Sequence, residues 1–281
     1  MFRTRRSRAL AHLRNGLLTL AAVGLVACST ASTTQSGAVG VKREQQFSSL
    51  VSAESLRKGA AEAYDEILAK ARSEGKLDQN PERVARVRAI TQRLIPVTQV
   101  FREDAPGWDW ETHVITSDEV NAWAMPGGKI AVYSGIIEKL DLTDAELAAI
   151  LGHEIAHALR EHGRERASRA ATQQLAIGVI GAATGVSQDV GKLANMALDV
   201  TFNLPNSRTQ ESEADRIGIE LAARAGYDPH AAISLWRKMS ERAGGSPPKF
   251  LSTHPPHDER ISELTRYADV VMPLYREARN S

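Results

Sequence analysis

The pentapeptide His153-Glu154-Ile155-Ala156-His157 constrains this chain more than any other stretch. It reads H-E-x-x-H. Positions i and i+4 of a helix lie on one face, so the two imidazoles can grip a single divalent ion. The surrounding residues predict a helix within Leu142 to Gly163. Thr143 and Glu146 form a T-x-x-E capping box, Ala and Leu dominate the interior, and Gly163 stands where a C-terminal cap belongs. Leu147, Ile150, Leu151, Ile155 and Ala158 make an apolar stripe with His153 and His157 at its edge. Glu154 lies beside them, placed to act on a water activated by such an ion. Residues this common in helices also meet by chance, so the reading requires a third ligand.

Ser207-Arg208-Thr209-Gln210 is a second capping box, S-x-x-Q, and the helix it opens carries Glu211, Glu213 and Asp215. Glu211 and Asp215 are i and i+4, hence on one face. Glu213 is turned about 200° from Glu211 and is expected to look elsewhere. Glu211 can complete a His-His-Glu site, and Asp215, one turn on, can accept the free N–H of a ligand histidine. The competing reading of such an acidic run is a solvated face. His162 does not extend the motif to the three-histidine form, because Arg160 and Gly163 hold the required positions; it is expected at the surface. His12, His113 and His230 stand alone and read as structural or exposed. His254 precedes Pro255, which holds it extended. From a loop it could hydrogen-bond a tetrahedral oxyanion, take a fourth position on the ion, or simply pack. Arg260 is expected to brace that loop through carboxylates or carbonyls.

The chain has 281 residues, a formal net charge of +1 and 42% hydrophobic residues, which suits one globular domain with appendages and gives no reason to invoke nucleic acid. The fold class expected is α+β, mainly helical: a zincin-like metallopeptidase domain with a small antiparallel sheet beside the H-E-x-x-H helix. Residues 1–27 read as a signal peptide, with arginines and then an apolar run from Leu17 to Ala27. The run ends in Leu25-Val26-Ala27-Cys28, which resembles a bacterial lipobox. Cys28, the one cysteine, is the expected lipidation site, and Ser29 after it favours the periplasmic side of the outer membrane by resemblance to Gram-negative lipoproteins. Residues 28–46, rich in Ser, Thr and Gly, read as a flexible tether. The peptidase domain is expected over 47–281.

Within it, helices are expected from Phe47 to about Leu77 and from Asn80-Pro81 to about Val97, the second with Val84, Val87, Ile90, Leu94 and Ile95 inward. The catalytic core is expected over 98–261. Val114–Thr116, Val120–Ala124 and Lys129–Tyr133 read as strands around a Pro126-Gly127-Gly128 turn, with an outer edge that could pair with an extended peptide. Trp108, Trp110 and Trp123 read as core. Arg164 to Ala183 reads as helical, and Thr184 to Pro205 as an irregular lid or connection. Asp228-Pro229 opens another helix, and a last one is expected over 257–275. No stretch beyond the leader is long and apolar enough to cross a membrane.

Taken in order, H-E-I-A-H, S-R-T-Q-E-S-E-A-D-R, A-G-Y-D-P and S-T-H-P-P-H-D-E-R-I resemble the HtpX and CAAX-prenyl-endopeptidase family of gluzincin zinc metallopeptidases, and most of all its soluble periplasmic branch. Asn121 to Gly128 is similar to the strand and turn that precede the metal helix in that family. The resemblance covers about Val97 to Ile261. It implies one Zn2+ per chain on His153, His157 and Glu211, Glu154 as general base, and His254 near the metal, where it gates the site. It further implies an endopeptidase of the cell envelope that cleaves unfolded or misassembled polypeptides, with outer-membrane assembly components as partners. The sequence holds neither the membrane helices of the HtpX branch nor a tetratricopeptide array. Two rivals remain: an envelope chaperone or assembly factor with a normally latent peptidase site, and a structural zinc protein closed by His254 as a fourth ligand.

Overall fold

The computed structural model describes residues 28–178, 190–242, 248–256 and 259–280; the expected signal peptide lies outside them. The fold class is the expected one, mainly helical with a small sheet. Two strands open it, β1 (Cys28–Ala31) and β2 (Gln45–Ser48), paired antiparallel. Helices α1 (Ala53–Ser73) and α2 (Pro81–Val97) follow. Then come β3 (Glu111–Ile115), β4 (Ala122–Met125), β5 (Lys129–Tyr133) and a short α3 (Ser134–Lys139). The next helices are α4 (Asp144–Leu159), α5 (His162–Gly178), α6 (Val190–Leu198) and α7 (Arg208–Arg224). Helices α8 (Ala231–Arg242), α9 (Phe250–Thr253) and α10 (Arg260–Asn280) complete it.

Helix α4 is the axis of the core. Its capping box forms as expected, with the Thr143 hydroxyl accepting the Glu146 N–H and the Glu146 carboxylate accepting the Thr143 N–H. The stripe widens into full enclosure, because every residue from Glu146 to Leu159 is buried; a helix covered on all sides is one that other elements pack around. Its tightest neighbour is α7. A Cβ built on Gly152 would lie 2.7 Å from the Gly218 carbonyl oxygen, and one on Gly218 would lie 2.7 Å from the His153 nitrogen. Only glycine fits either position, and the close backbone approach offsets the helix propensity that each glycine forfeits.

The sheet contains the expected hairpin. Strands β4 and β5 pair antiparallel about Gly127 and Gly128, whose φ values are 91° and 93°. Strand β3 adds to the far side of β5 in parallel, in the order β3-β5-β4. That leaves β4 as the edge beside α4.

Several expectations are corrected. The segment 28–46 is no loose tether: Val39, Val41 and Gln45 are buried. Its polar residues serve the carbonyl end of α4, where helices leave acceptors unmet. The Thr33 hydroxyl donates to Leu159 O at 3.1 Å, and the Gln45 amide donates to Arg160 O. Helix α1 begins at the Ser52 cap rather than Phe47, which lies in β2. Helix α4 ends before Gly163: the chain reverses at Glu161, with φ 48°, and Gly163 lies inside α5. Of the expected irregular segment 184–205, residues 190–203 are helical, with Ala194, Ala197 and Val200 buried. Its earlier part, with 179–183, lies outside the described residues. The last helix starts at Arg260 and runs to Asn280, and 257–258 lie outside the described residues.

The Glu146 carboxylate ties α4 to α8, accepting from Lys238 and from the Ser234 hydroxyl, both at 2.7 Å. Burial would raise this carboxyl, but Lys238, the Thr143 N–H and Ser234 outweigh it and hold it below its ordinary 4.5. A carboxyl with a lower pKa folded than unfolded adds stability above the unfolded value, and the contribution is lost as pH falls through the folded one. Glu146→Gln is therefore expected to cost about 1–3 kcal/mol at neutral pH. In denaturant titrations the gap from the parent protein should close only below pH 4.5. A gap that stays constant down to acid unfolding would contradict this role.

Candidate metal centre

The Gly152–Gly218 contact brings one face of α4 against one face of α7. His153 and His157 project from α4, and Glu211 and Asp215 from α7, as the i,i+4 spacing requires. His254 enters from the end of α9. All five side chains are buried. Ligand atoms of His153, His157, Glu211 and His254 lie within 4.8 Å of one another. The Nε2 atoms of His153 and His157 are 3.0 Å apart, and Glu211 Oε1 is 3.4 Å from His157 Nε2 and 3.0 Å from His254 Nδ1.

Each α4 histidine is oriented from behind. His153 Nδ1–H donates to Asp215 Oδ1 at 2.9 Å, the bond expected of Asp215. His157 Nδ1 meets His162 Nδ1 at 2.8 Å, and His162 Nε2–H donates to Glu213 Oε2 at 3.0 Å. Burial pushes His162 down to about 4, so it is neutral at neutral pH. Its proton then sits on Nε2, and its bare Nδ1 accepts the His157 Nδ1–H. Both α4 histidines therefore turn unprotonated Nε2 lone pairs toward one point. Two bare nitrogens at 3.0 Å repel unless a cation or a proton lies between them. Burial also drives His157 well below the usual imidazole value, which disfavours the proton. The donor set thus fits a metal ion.

The carboxylates are consistent with that fit. Glu211 Oε2 is buried without a hydrogen-bond partner among the described residues, meeting Arg260 Nη2 at 3.0 Å only as a charge contact. Burial would raise Glu211, but His254 and His157 outweigh it and hold it well below its ordinary value. Glu154 Oε1 is equally unpartnered and lies 3.3 Å from His254 Nε2. Burial raises the Glu154 carboxyl above its ordinary value, which makes it the stronger base of the two. For His254, burial would lower the imidazole, but Glu154 and Glu211 outweigh it and raise it. Arg260 donates to Asp215 Oδ1 at 2.7 Å and lies 3.2 Å over the Trp236 ring, so it braces the carboxylates rather than the loop alone.

Two expectations at the site are corrected. His162 is fully buried rather than at the surface. Glu213 does look away from the ion's position, but toward a purpose: it receives His162, Arg160 and Arg43. The reversal at Glu161 folds His162 back beneath His157, and no helical spacing announces that. The one signal on offer was a histidine within a few residues of the motif. His113 pairs with Asp78 at 2.7 Å, and His230 is exposed, both as expected. Cys28 is exposed at the start of β1.

Comparison with known proteins agrees with this geometry. The sequence model described as Peptidase family M48 matches residues 81–268. The chain is 36% identical over 206 residues to the mitochondrial metalloendopeptidase OMA1 of Bos taurus, covering 68% of this chain and 38% of that protein. It is 30% identical over 174 residues to the beta-barrel assembly-enhancing protease of Yersinia pestis, covering 57% and 35%. It is 27% identical over 175 residues to the metalloprotease YcaL of Escherichia coli, covering 62% and 68%. The chain thus spans well under half the length of the first two.

If the His157–His162–Glu213 relay sets the tautomer at the centre, His162→Phe should weaken metal binding about 10- to 100-fold. Competition against a chromophoric chelator, with circular dichroism to confirm the fold, reads this directly. Unchanged affinity in a folded variant would remove His162 from the site.

Proposed function

We propose a function from one premise: the chain belongs to peptidase family M48. It is a zinc-dependent endopeptidase that cleaves unfolded or misassembled polypeptides. One observation carries this reading: His153, His157 and Glu211 converge on one point with the Glu154 carboxylate beside them, its Oε1 free of hydrogen bonds among the described residues. Two imidazoles and a carboxylate suit zinc. His153 and His157 would hold the ion through Nε2 and Glu211 through its carboxylate. When bound, such an ion polarises a scissile carbonyl and acidifies a water. Glu154 accepts the proton of the attacking water and returns it to the leaving amine, a task its raised pKa favours. Asp215 and His162 keep both ligand rings in register. Strand β4 borders the cleft through Ala124, and its outer edge suits an extended peptide added as a strand.

Glu154→Gln should lower hydrolysis of denatured casein by about 100-fold or more, with metal content unchanged. A chelator should abolish the parent activity and zinc restore it. Full activity in Glu154→Gln protein would refute the assignment.

A second reading is favoured by His254. It closes the cluster as a fourth side chain, 3.1 Å from His153 Nε2 and 3.0 Å from Glu211 Oε1. A site closed this way is latent until the imidazole withdraws, as in an envelope chaperone or assembly factor whose peptidase is normally silent. His254→Ala is expected to raise casein turnover. A fall of about 100-fold would instead assign the imidazole to the oxyanion.

For location, we propose lipid anchoring through Cys28 on the periplasmic side of the outer membrane. The exposed sulfur and the apolar run before it support this. Among the described residues no helix is long and apolar enough to cross a membrane. Labelled palmitate should enter the parent protein and not a Cys28→Ala variant; equal labelling would refute it.

A further inference from the structure

A cleft partly open to solvent lies over the candidate metal cluster, with Glu154, His157 and His254 among its lining. Three arginines line it: Arg57, Arg164 and Arg166. Arg164 is committed elsewhere. Its Nη1 donates to Glu161 at 2.9 Å, its Nε donates to Val51 O, and it lies 4.3 Å over the Phe47 ring. Glu161, the remaining carboxylate of the lining besides Glu154, also receives Arg102 at 2.8 Å.

Arg166 is different. It donates Nη1 to the Asn206 amide oxygen and Nη2 to the Val200 carbonyl, both neutral acceptors. Its Nε is buried with no hydrogen-bond partner, and it forms no ion pair among the described residues. Burial lowers it to about 10, so it stays charged at neutral pH. A guanidinium held only by neutral acceptors in a desolvated wall is costly unless a negative group completes it. Glu211, Glu154 and Glu165 offset it from a distance, yet the first two are the carboxylates that a bound divalent ion would draw on, and Glu165 is paired with Arg43. Arg57 likewise forms no ion pair among the described residues. The loaded cleft therefore lacks a negative charge, at a place where a substrate side chain can bring one.

We propose that the cleft selects polypeptides with an acidic side chain beside the scissile bond, the carboxylate pairing with Arg166 while Arg57 adds to the attracting field. The proposal deepens, and rests on, the endopeptidase reading. A planar guanidinium with free N–H groups matches a carboxylate in shape and charge, whereas a neutral amide forgoes the charge-assisted bond.

The test uses peptides spanning casein cleavage sites, with Asp or Glu placed at each flanking position and compared with Asn or Gln there. Two quantities are read: kcat/KM in zinc-loaded parent protein, and equilibrium binding to Glu154→Gln protein by fluorescence anisotropy. At one flanking position the acidic peptide should be favoured by about tenfold in both, the worth of one charge-assisted hydrogen bond. Rising salt should shrink the ratio. Arg166→Gln should bring it near unity, and Arg57→Gln should narrow it. Should Arg166→Gln fail to fold, the parent ratio, its salt dependence and Arg57→Gln still decide. Equal handling of acidic and amide peptides by the parent protein overturns the proposal. So does an Arg166→Gln protein that keeps the ratio while losing kcat on every peptide, because the guanidinium would then serve main-chain carbonyls. An acid preference in binding that Arg166→Gln removes, without cleavage of any peptide, would uphold the carboxylate site at Arg166 and sink the peptidase reading instead.

Discussion

Two helices can share one cation only where their backbones nearly touch, and that contact rests here on two hydrogen atoms in place of side chains. Gly152 and Gly218 let α4 and α7 approach until the Cβ of any larger residue would meet backbone at 2.7 Å. Gly152 immediately precedes His153, so the closest approach and the first imidazole are adjacent. Glu211 and Asp215 lie up to two turns before Gly218 on the facing helix. A wider crossing would carry the carboxylates away from the imidazoles and leave all of them buried and unpaired.

Around that crossing the chain places polar groups in graded layers. Ring nitrogens and carboxylate oxygens converge at the centre. Asp215 and His162 hold the rings, and Arg260, Glu213, Arg160 and Arg43 hold those in turn. Along the Asp215–Arg260 and Glu213–Arg160–Arg43 branches acids and bases alternate outward, so each of these charges meets an opposite one. This pattern keeps a polar interior from being a liability, since breaking a buried pair costs several kcal/mol where replacing it cleanly costs little. The N-terminal segment belongs to the same scheme: Arg43 reaches both Glu213 and Glu165, and Thr33 and Gln45 cap the end of the metal helix.

How much of this was legible in the sequence depended on the range of the interaction. The convergence of His153, His157 and Glu211, and the support from Asp215, follow from helical spacing within capped segments, which local chemistry determines. The His162–Glu213 relay was not legible, because it depends on a left-handed turn at Glu161, a residue that does not advertise φ 48°. The order in 28–46 was hidden for a related reason. Ser, Thr and Gly resemble a tether until the carbonyls they satisfy, far along the chain, are known. Helix α6 escaped notice although Val190, Leu193, Ala194 and Ala197 keep a helical spacing, because the Gly and Asn residues among them read as loop.

The central claim is that this crossing builds one metal site from α4 and α7. X-ray absorption at the zinc edge, combined with anomalous scattering from a crystal of the metal-loaded protein, tests it most directly. The expected result is one ion per chain, bound at about 2.0–2.2 Å by the Nε2 atoms of His153 and His157 and by a Glu211 oxygen. An ion bound elsewhere, or a loaded protein in which Glu211 stays out of contact with it, would contradict the account.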